Sequence, residues 1–187
     1  KLEQAIQSAV GQSYENIEIV IIDDGSSDDY ARDVVDGLDT SRNINVCHHE
    51  ENQGLPAARN TGIQVSNGDY IAFLDDDDFW KPQKIEKQIN IMSREDRDVC
   101  YTWIQRVDEH GTIKGESTIT KSGMVRKAIP DGGFPGPPAF CISTDAAQDI
   151  GGFDESLIRG EEVDFAIRLA DKYEFSCVPE VLVLAAV

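Results

Sequence analysis

Two short apolar runs, each ending in consecutive aspartates, constrain the fold of this chain most. Residues 17–22 are almost all β-branched and stop at Asp23 and Asp24, and residues 70–74 stop at the four aspartates 75–78. Uninterrupted apolar runs of this length are typical of strands that a parallel sheet buries on both faces. They predict two buried strands whose carboxyl ends carry clusters of acids.

Helical patterns lie between these strands. Four stretches, which start near residues 1, 26, 56 and 82, each predict a helix, and residues 44–48 predict a further strand. Strand and helix alternate in this way through about residue 104. The alternation predicts an α/β fold with a mostly parallel central sheet and helices on both faces.

The second half of the chain has a looser pattern. Residues 105–137 contain six glycines and three of the seven prolines and predict long loops or an antiparallel excursion. Residues 138–144 predict a strand, and residues 161–172 predict a helix that buries Val163, Ile167 and Ala170. No linker separates the halves, so we expect one domain over residues 1–187, in which 105–187 continues from 1–104.

The charge balance excludes some partners. The 187 residues include 35 acidic and 17 basic side chains, which gives a net charge of -18. Such a field repels DNA and RNA, so we expect no nucleic-acid partner. The excess of acids is also what a protein adapted to a salt-rich cytoplasm would carry, because salt screens the repulsion.

The cysteines and the hydropathy indicate a cellular location. Cys47, Cys100, Cys141 and Cys177 are too far apart in sequence for a zinc knuckle or a CxxC motif, and each adjoins an apolar residue. They predict reduced thiols in buried strands, which favours an intracellular protein. No run of 18 apolar residues predicts a membrane span, so we expect a cytoplasmic location.

The four consecutive aspartates predict a cation site. Carboxylates that leave a buried strand together repel one another unless a cation or hydrogen-bond donors balance them. Their hard oxygens suit Mg²⁺ or Mn²⁺, which take donor phosphates as further ligands. The alternative is a salt-adapted acidic turn. His48 and His49 are interpreted as a strand end rather than a ligand pair.

Four motifs in series resemble a known family. They are IVIIDDGSSDD (19–29), NQGLPAARNTGI (52–63), GDYIAFLDDDD (68–78), and GGFDE (151–155) followed by GEEVDFAIRL (160–169). In this order they resemble the family 2 glycosyltransferases. The resemblance implies the GT-A fold, a nucleotide-diphosphate sugar donor, a divalent metal, and a glycan, lipid-linked or protein acceptor in cell-surface glycan assembly, at the cytoplasmic face of the membrane.

The resemblance also implies roles on the donor side. Asp23 and Asp24 would bind the base and ribose, with Gly25 and Ser26 forming the turn beside the base. Arg59 would lie near the nucleotide, and its alternative is an ion pair on the helix surface. Of the DxD-like residues, Asp77 would hold the metal with support from Asp75, while Asp76 would face the ribose.

On the acceptor side, the resemblance implies a catalytic base at the start of a helix. The family has a Glu-Asp pair there, whereas this chain has Glu161 and Glu162, so the base would be Glu162, with Asp164 as a helper. The longer side chain shifts the carboxylate by about 1.5 Å, and catalytic geometry is sensitive to such shifts. The turn of Gly151, Gly152, Phe153 and Asp154 would shape the acceptor side. Phe153 is predicted either to stack on a sugar or to fill the core.

Three other functions are alternatives to a glycosyltransferase. The chain lacks the family's opening strand and its later segments, so it resembles a domain truncated at both ends. Together with the Glu for Asp change, this leaves a non-catalytic remnant that binds nucleotide sugar or carbohydrate as the alternative. A receiver-type signalling domain would need a lysine at the end of its last strand, which residues 178–187 lack. A sugar-nucleotide pyrophosphorylase would need a Gly-rich start.

Overall fold

A computed structural model describes residues 1–129 and 134–187. Residues 130–133, which belong to the segment predicted as loops, lie outside the described residues. Six α-helices and eight strands make up the described chain. The helices are α1 (Leu2–Val10), α2 (Tyr30–Asp36), α3 (Leu55–Val65), α4 (Lys84–Glu95), α5 (Thr144–Asp149) and α6 (Glu161–Lys172). The strands are β1 (Glu18–Asp23), β2 (Asn43–His48), β3 (Tyr70–Ile71), β4 (Phe79–Trp80), β5 (Val99–Val107), β6 (Ile113–Ser117), β7 (Phe140–Ser143) and β8 (Phe175–Ala186).

The strands form two sheets. β1 and β2 pair in parallel, in a register that joins Glu18 to Asn43 and Asp23 to His48. The larger sheet has the order β3-β7-β5-β8-β4, with β6 paired to β5. Because β2 ends beside β1, the acids after β1 lie next to His48 and His49.

The described sheets are mixed, and parallel pairing predominates along their length, as predicted. The two longest pairings, β1–β2 and β5–β8, are parallel. The four shorter ones, which join β3 to β7, β4 to β8, β5 to β6 and β5 to β7, are antiparallel. The predicted antiparallel excursion is the β5–β6 hairpin. The cause lies in the connections, since a hairpin needs only a few residues whereas a parallel return needs a crossover.

Helices cover both faces of the larger sheet, as predicted. Alternate residues of β5 point to opposite sides, so Val99 and Tyr101 pack in the cluster that contains Phe165 and Leu169 of α6. Cys100 points the other way, into a smaller cluster with Met92 of α4. The sheet thus separates two apolar cores, one under α5 and α6 and one under α4.

Most predicted elements are present with adjusted bounds. The predicted helix over 161–172 is present over the same residues as α6, and it buries Ala170. Val163 was predicted to be buried but is 42% exposed, because it lies on the solvent side of the first turn. The run over 70–74 predicts a longer strand than β3, which pairs only Tyr70 and Ile71 with β7.

The cysteine prediction is confirmed for three residues. Cys100, Cys141 and Cys177 are buried in strands, while Cys47 in β2 is half-buried, and all four are free thiols. Burial raises the pKa of the Cys141 thiol to about 11, which keeps it protonated. Within the described parts of the chain, no helix is long and apolar enough to cross a membrane.

Candidate active site

The turn after β1 holds the first acid, Asp23, in a fixed position. Asp23 is the last residue of β1, and its carboxylate accepts hydrogen bonds from the Ser26 amide at 3.0 Å and from His48 Nδ1 at 3.2 Å. The hydrogen bonds from Ser26 and the contact with His48 outweigh burial and hold the pKa of Asp23 below its ordinary value. The carboxylate is therefore ionised at neutral pH.

The second acid, Asp24, organises the loop that leads into α3. Its Oδ1 accepts from His49 Nδ1 at 2.7 Å and from the Gln53 amide at 2.9 Å, and its Oδ2 accepts from the Gly54 amide at 2.8 Å. Burial raises the pKa of Asp24, but these donors outweigh it, so the net shift is downward. Asp24 therefore ties the end of β1 to the loop that follows β2.

A third contact fixes the ring of His49. Because an ionised carboxylate can only accept, Nδ1 of His49 carries a proton, and Nε2 is hydrogen-bonded to the Thr61 hydroxyl at 2.9 Å. Thr61 lies on α3, so the ring links β1 to that helix. The sequence did not reveal this role, since His49 lies 25 residues from Asp24 and only the strand pairing brings them together.

Gly25 makes the close approach of these segments possible. Its φ is +79°, and a Cβ at this position would lie 2.5 Å from the amide nitrogen of Asn52. Any side chain would therefore collide with the backbone of the loop that Asp24 holds. The predicted turn at Gly25 and Ser26 is confirmed as a turn, and an open groove lined by His48, His49, Glu50, Glu51 and Gln53 lies next to it.

The four aspartates form a tight turn with unlike environments. The Asp78 amide donates to the Asp75 carbonyl, and Asp78 is buried, with its Oδ1 accepting from the Ala186 amide at 3.0 Å. Asp76 is exposed, and the carboxylate of Asp77 is 39% exposed and lies 3.4 Å from Lys1 Nζ. Burial, and then the charges of the neighbouring aspartates, raise the pKa of Asp78 to about 6.

Arg59 lies between this turn and the start of α6. Its Nη2 donates to Asp75 Oδ1 at 2.9 Å, and its Nη1 lies 3.7 Å from Glu161 Oε1. The side chain is 7% exposed, with its guanidinium 5.2 Å from the centre of the Phe153 ring. Arg59 does form an ion pair, but its side chain is buried and does not lie on the helix surface, while Asp75 stays one-third exposed. Arg59 joins the two predicted halves of the site.

The carboxylates of the aspartate turn fit a metal ion only if phosphates and water supply most of its ligands. No group of three or more His, Cys, Asp or Glu residues within 1–129 and 134–187 is arranged to hold an ion. Asp75 is hydrogen-bonded to Arg59 and Asp78 to the Ala186 amide, whereas among the described residues Asp77 is paired only with the exposed Lys1. Mg²⁺ commonly takes one or two protein carboxylates and completes its shell with phosphates and water. The turn fits that arrangement and does not fit a site made of protein ligands alone.

Two glutamates at the start of α6 differ in their contacts. Glu161 has a side chain that is 14% exposed and is paired with Arg59. Glu162 is exposed, and the described residues offer its carboxylate no hydrogen bond or ion pair. A Cβ built on Gly136 would lie 3.4 Å from Glu162 Oε2. Only Glu162 of the two therefore has a carboxylate free to accept a proton.

Asp164, the predicted helper of the base, forms an ion pair with Arg168. Both Nε and Nη2 of Arg168 contact Asp164 Oδ2 at 2.7 Å, one helical turn away. Arg168 Nη1 donates to the carbonyls of Ile150 and Gly152, each at 2.7 Å. Asp164 therefore orients the arginine that holds the glycine turn.

Asn60 holds the same turn from the other side. Its Oδ1 accepts from the Phe153 amide at 2.7 Å, and its Nδ2 donates to the Phe153 carbonyl and to Glu155. A Cβ on Gly152 would lie 2.4 Å from Asn60 Oδ1. Neither Asn60 nor Arg168 was predicted as a site residue, although Asn60 directly follows Arg59 in the second motif.

The structure decides between the two predictions for Phe153. Its ring is 3% exposed and stacks on Phe165 with centroids 3.9 Å apart and planes 4° apart. Phe153 therefore fills the core and is not available to a sugar. Asp154 stays exposed and accepts from the Ser156 amide and hydroxyl, which lower its pKa. Gly151 and Gly152 both have positive φ, as the turn prediction requires.

The sequence matches the profile described as Glycosyl transferase family 2 over residues 1–151. The chain belongs to this family. The match includes the first three motifs and the start of the fourth, and it ends before Glu161 and Glu162. The resemblance predicted from the motifs is therefore confirmed.

Curated relatives of this family 2 chain come from bacteria and archaea. An uncharacterized glycosyltransferase of Methanocaldococcus jannaschii, MJ1057, is 28% identical over 97% of the chain and 64% of its own length. The putative teichuronic acid biosynthesis glycosyltransferase TuaG of Bacillus subtilis is 35% identical over 68% of the chain and 53% of its own length. The UDP-Glc:alpha-D-GlcNAc-diphosphoundecaprenol beta-1,3-glucosyltransferase WfaP of Escherichia coli is 43% identical over 48% of the chain and 35% of its own length. The chain thus spans from about a third to two thirds of these relatives.

Solved structures share the fold of the family 2 chain. The crystal structure of S. aureus TarS 1-349 in complex with UDP covers the whole chain with a TM-score of 0.81, at 19% identity, over 56% of the TarS chain. The complex with UDP-GlcNAc gives a TM-score of 0.83, also at 19% identity, over the whole chain and 54% of the TarS chain. This likeness confirms the predicted GT-A fold.

Proposed function

We propose that this chain transfers a sugar from a nucleotide diphosphate to an acceptor hydroxyl, with inversion at the anomeric carbon. The observation that carries the proposal is the contrast between the two glutamates at the start of α6. Arg59 is paired with Glu161 and leaves the neighbouring Glu162 unpaired. Family membership and the likeness to TarS, whose structures contain UDP and UDP-GlcNAc, support a uridine nucleotide as donor.

In the proposed reaction, Glu162 accepts the proton of the acceptor hydroxyl. The oxygen then forms a bond to the anomeric carbon as the bond between that carbon and the diphosphate oxygen breaks, and the electron pair leaves with the diphosphate. Attack from the face opposite the leaving group inverts the configuration. Arg59 is paired with Asp75 and Glu161, so Glu162 is the carboxylate at the start of α6 that is left open to an acceptor.

The donor side is proposed to rest on the turn after β1 and on the aspartate turn. Asp23 and Asp24 would contact the nucleoside, with the groove beside Gln53 as the place for the base. Asp77, supported by Asp75, would hold Mn²⁺ or Mg²⁺ together with the diphosphate. A bound cation of this kind stabilises negative charge on a leaving diphosphate.

The names of two relatives support a class of acceptor. TuaG is named for teichuronic acid biosynthesis, and WfaP for a sugar carried on diphosphoundecaprenol. We therefore propose an acceptor in cell-surface glycan assembly, either a growing glycan or a lipid-linked sugar. The cytoplasmic location stays a prediction.

A binding assay and a turnover assay together test the proposal. Thermal shifts are measured with UDP, GDP, CDP and dTDP, with and without Mn²⁺, in molar KCl. A ligand at a hundred times its Kd adds about 2.7 kcal/mol of stability, so binding is visible without an acceptor. We expect a metal-dependent shift for UDP that Asp77→Ala abolishes, and an equal shift with and without Mn²⁺ would remove the metal assignment.

Turnover is followed as UDP release from UDP-glucose and UDP-GlcNAc, first with water as acceptor. We expect Glu162→Gln to keep the UDP shift and to lose at least about 100-fold in rate, which is the usual range for a general base. Glu161→Gln is the matched control and should retain more activity. UDP binding without any release by the wild-type chain would favour the alternative of a non-catalytic nucleotide-sugar binding protein.

A further inference from the structure

Three side chains donate hydrogen bonds to three consecutive backbone carbonyls. Trp80 Nε1 donates to Pro138 at 3.0 Å, Gln88 Nε2 to Ala139 at 2.9 Å, and Lys84 Nζ to Phe140 at 3.0 Å. We name Trp80, Lys84 and Gln88 the donor ladder. Lys84 and Gln88 are fully buried, so their two bonds lie inside the protein, whereas the bond of Trp80 is part-buried.

The segment that the ladder holds, around residues 135–140, can form few backbone hydrogen bonds of its own. Residues 135, 137 and 138 are prolines without amide hydrogens, so the segment cannot pair with a strand in the usual way. Pro137, Pro138 and Ala139 are buried and form a short 3-10 turn before β7. Buried carbonyls need donors, and the ladder supplies one to each.

The spacing of the ladder follows from α4. Lys84 and Gln88 are four residues apart, so both lie on the face of α4 that packs on the sheet. Gln88 also donates to the Cys100 carbonyl of β5 at 3.3 Å, which ties the helix to the same sheet. Trp80 belongs to β4, directly after the aspartate turn. The ladder therefore connects the aspartate turn, on the side of the site proposed for the sugar donor, with the segment around residue 138.

Burying the charged ammonium of Lys84 costs folding free energy. Its ammonium is fully buried and has no ion pair with any carboxylate of the described residues, and it lies over the uncharged Trp80 ring, 4.3 Å from Nζ to the centroid. Burial lowers the pKa of Lys84 to about 8. A methionine would fill similar space without the cost of a buried charge. What the lysine adds is the bond to the Phe140 carbonyl.

The held segment borders the proposed base. A Cβ on Gly136 would lie 3.4 Å from Glu162 Oε2, and the Ala139 amide donates to the Gly136 carbonyl at 3.0 Å. The place of Gly136 beside Glu162 therefore depends on the carbonyls that follow it, which the ladder fixes.

We propose that Trp80, Lys84 and Gln88 are positioning residues that hold the turn at Gly136 against Glu162 and so define the space in which the acceptor hydroxyl meets that carboxylate. The catalytic part of this inference rests on the proposed function. The structural part, that the ladder holds residues 134–143, stands without it.

The first test compares two lysines of the same helix. Lys84→Met removes the ladder donor and keeps side-chain length, while Lys87→Met removes the exposed partner of Glu180 on α4. Hydrogen exchange is measured over residues 134–143, and UDP release from UDP-GlcNAc is measured in the same samples. We expect Lys84→Met to raise exchange there at least fivefold and to slow release at least tenfold with UDP binding unchanged, and Lys87→Met to change none of the three.

The second test asks whether the effect passes through Glu162. In a Glu162→Gln background, adding Lys84→Met should change the residual rate by less than twofold, because the group being positioned is already lost. A further tenfold loss would show that Lys84 acts by another route and would overturn the positioning role. If Lys84→Met does not fold, Gln88→Met removes the neighbouring bond to Ala139 and takes its place in both tests.

The outcomes separate this inference from the proposed function. Wild-type protein that binds UDP but releases none from UDP-GlcNAc or UDP-glucose favours the non-catalytic alternative and counts against the catalytic part of the inference. Raised exchange confined to residues 134–143 in Lys84→Met still supports the structural part. Unchanged exchange in that segment overturns the ladder, whatever the activity.

Discussion

The guanidinium of Arg59 donates to Asp75 from the interior of the protein, although both residues were predicted at a ligand site. The bond is 2.9 Å long, and the Arg59 side chain is 7% exposed. The same guanidinium lies 3.7 Å from Glu161, so one cation faces carboxylates from two separate parts of the chain. The charge that joins the donor side to the acceptor side is therefore supplied by the protein itself.

Replacing Arg59 by methionine should destabilise the fold through the acids that it leaves behind. Removal of one partner from a buried ion pair leaves an uncompensated charge, and because Asp75 is one-third exposed we expect a loss of about 2–3 kcal/mol. Arg126→Met is the control, since its pair with Asp171 is exposed and should contribute less than about 1 kcal/mol. Urea unfolding measures both, and equal losses in the two variants would contradict the prediction.

The elements that the sequence predicted well are those with a local signal. α6 begins and ends at the predicted residues because its apolar positions repeat every three to four residues and the glycine before it marks its start. The turn at Gly25 was also predicted, since it directly follows an apolar run, whereas the four aspartates were predicted as a cation site and a turn was only the alternative. Such features depend on neighbours in the sequence.

The features that the sequence did not predict depend on long-range contacts. His49 meets Asp24 only because β2 pairs with β1, and Phe153 is buried because Phe73 and Phe165 pack on its ring. The mixed pairing of the larger sheet likewise depends on which strands become neighbours. The ladder could not be foreseen either, because its donors and acceptors are more than 50 residues apart.

Gly25→Ala should abolish nucleotide binding. Its positive φ strains any side chain, and the added Cβ would lie 2.5 Å from the Asn52 amide nitrogen, so the loop held by Asp24 must move. Gly111→Ala is the matched control, with a φ of +76° and nothing within 4 Å of the added Cβ. We expect about 1 kcal/mol of strain in the control and a larger loss, together with the loss of the UDP thermal shift, in Gly25→Ala. A UDP shift equal to that of Gly111→Ala would contradict the role of the turn.

Adjacent glycines offer a similar comparison on the acceptor side. Gly151 and Gly152 have φ values of +80° and +70°, but only at Gly152 would a Cβ meet another residue, at 2.4 Å from Asn60 Oδ1. We expect Gly152→Ala to break the bonds between Asn60 and Phe153 and to cost about 2 kcal/mol more than Gly151→Ala. Thermal unfolding of both variants tests this, and Asn60→Ala combined with Gly152→Ala should recover part of the loss. Equal stability of the two glycine variants would show that Asn60 can turn aside without cost.

Asp78 should make the protein less stable as the pH rises from about 4 to about 6. Burial and the neighbouring aspartates raise its pKa in the folded protein to about 6 from an ordinary 3.8. Between these values the folded state binds a proton that the unfolded state has released, so each step up in pH favours unfolding. The penalty is complete above about pH 7 and amounts to at most about 3 kcal/mol.

Asp78→Asn tests this directly, because the amide oxygen can still accept from Ala186 while the charge is removed. The difference in unfolding free energy between wild type and variant should change in favour of the variant across pH 4–6 and stay constant above pH 7. Asp23 and Asp24 have lowered pKa values and affect stability only at lower pH, in both proteins alike. A difference that does not vary with pH would mean that Asp78 titrates normally, and that the aspartate turn is open to water on the side of Ala186.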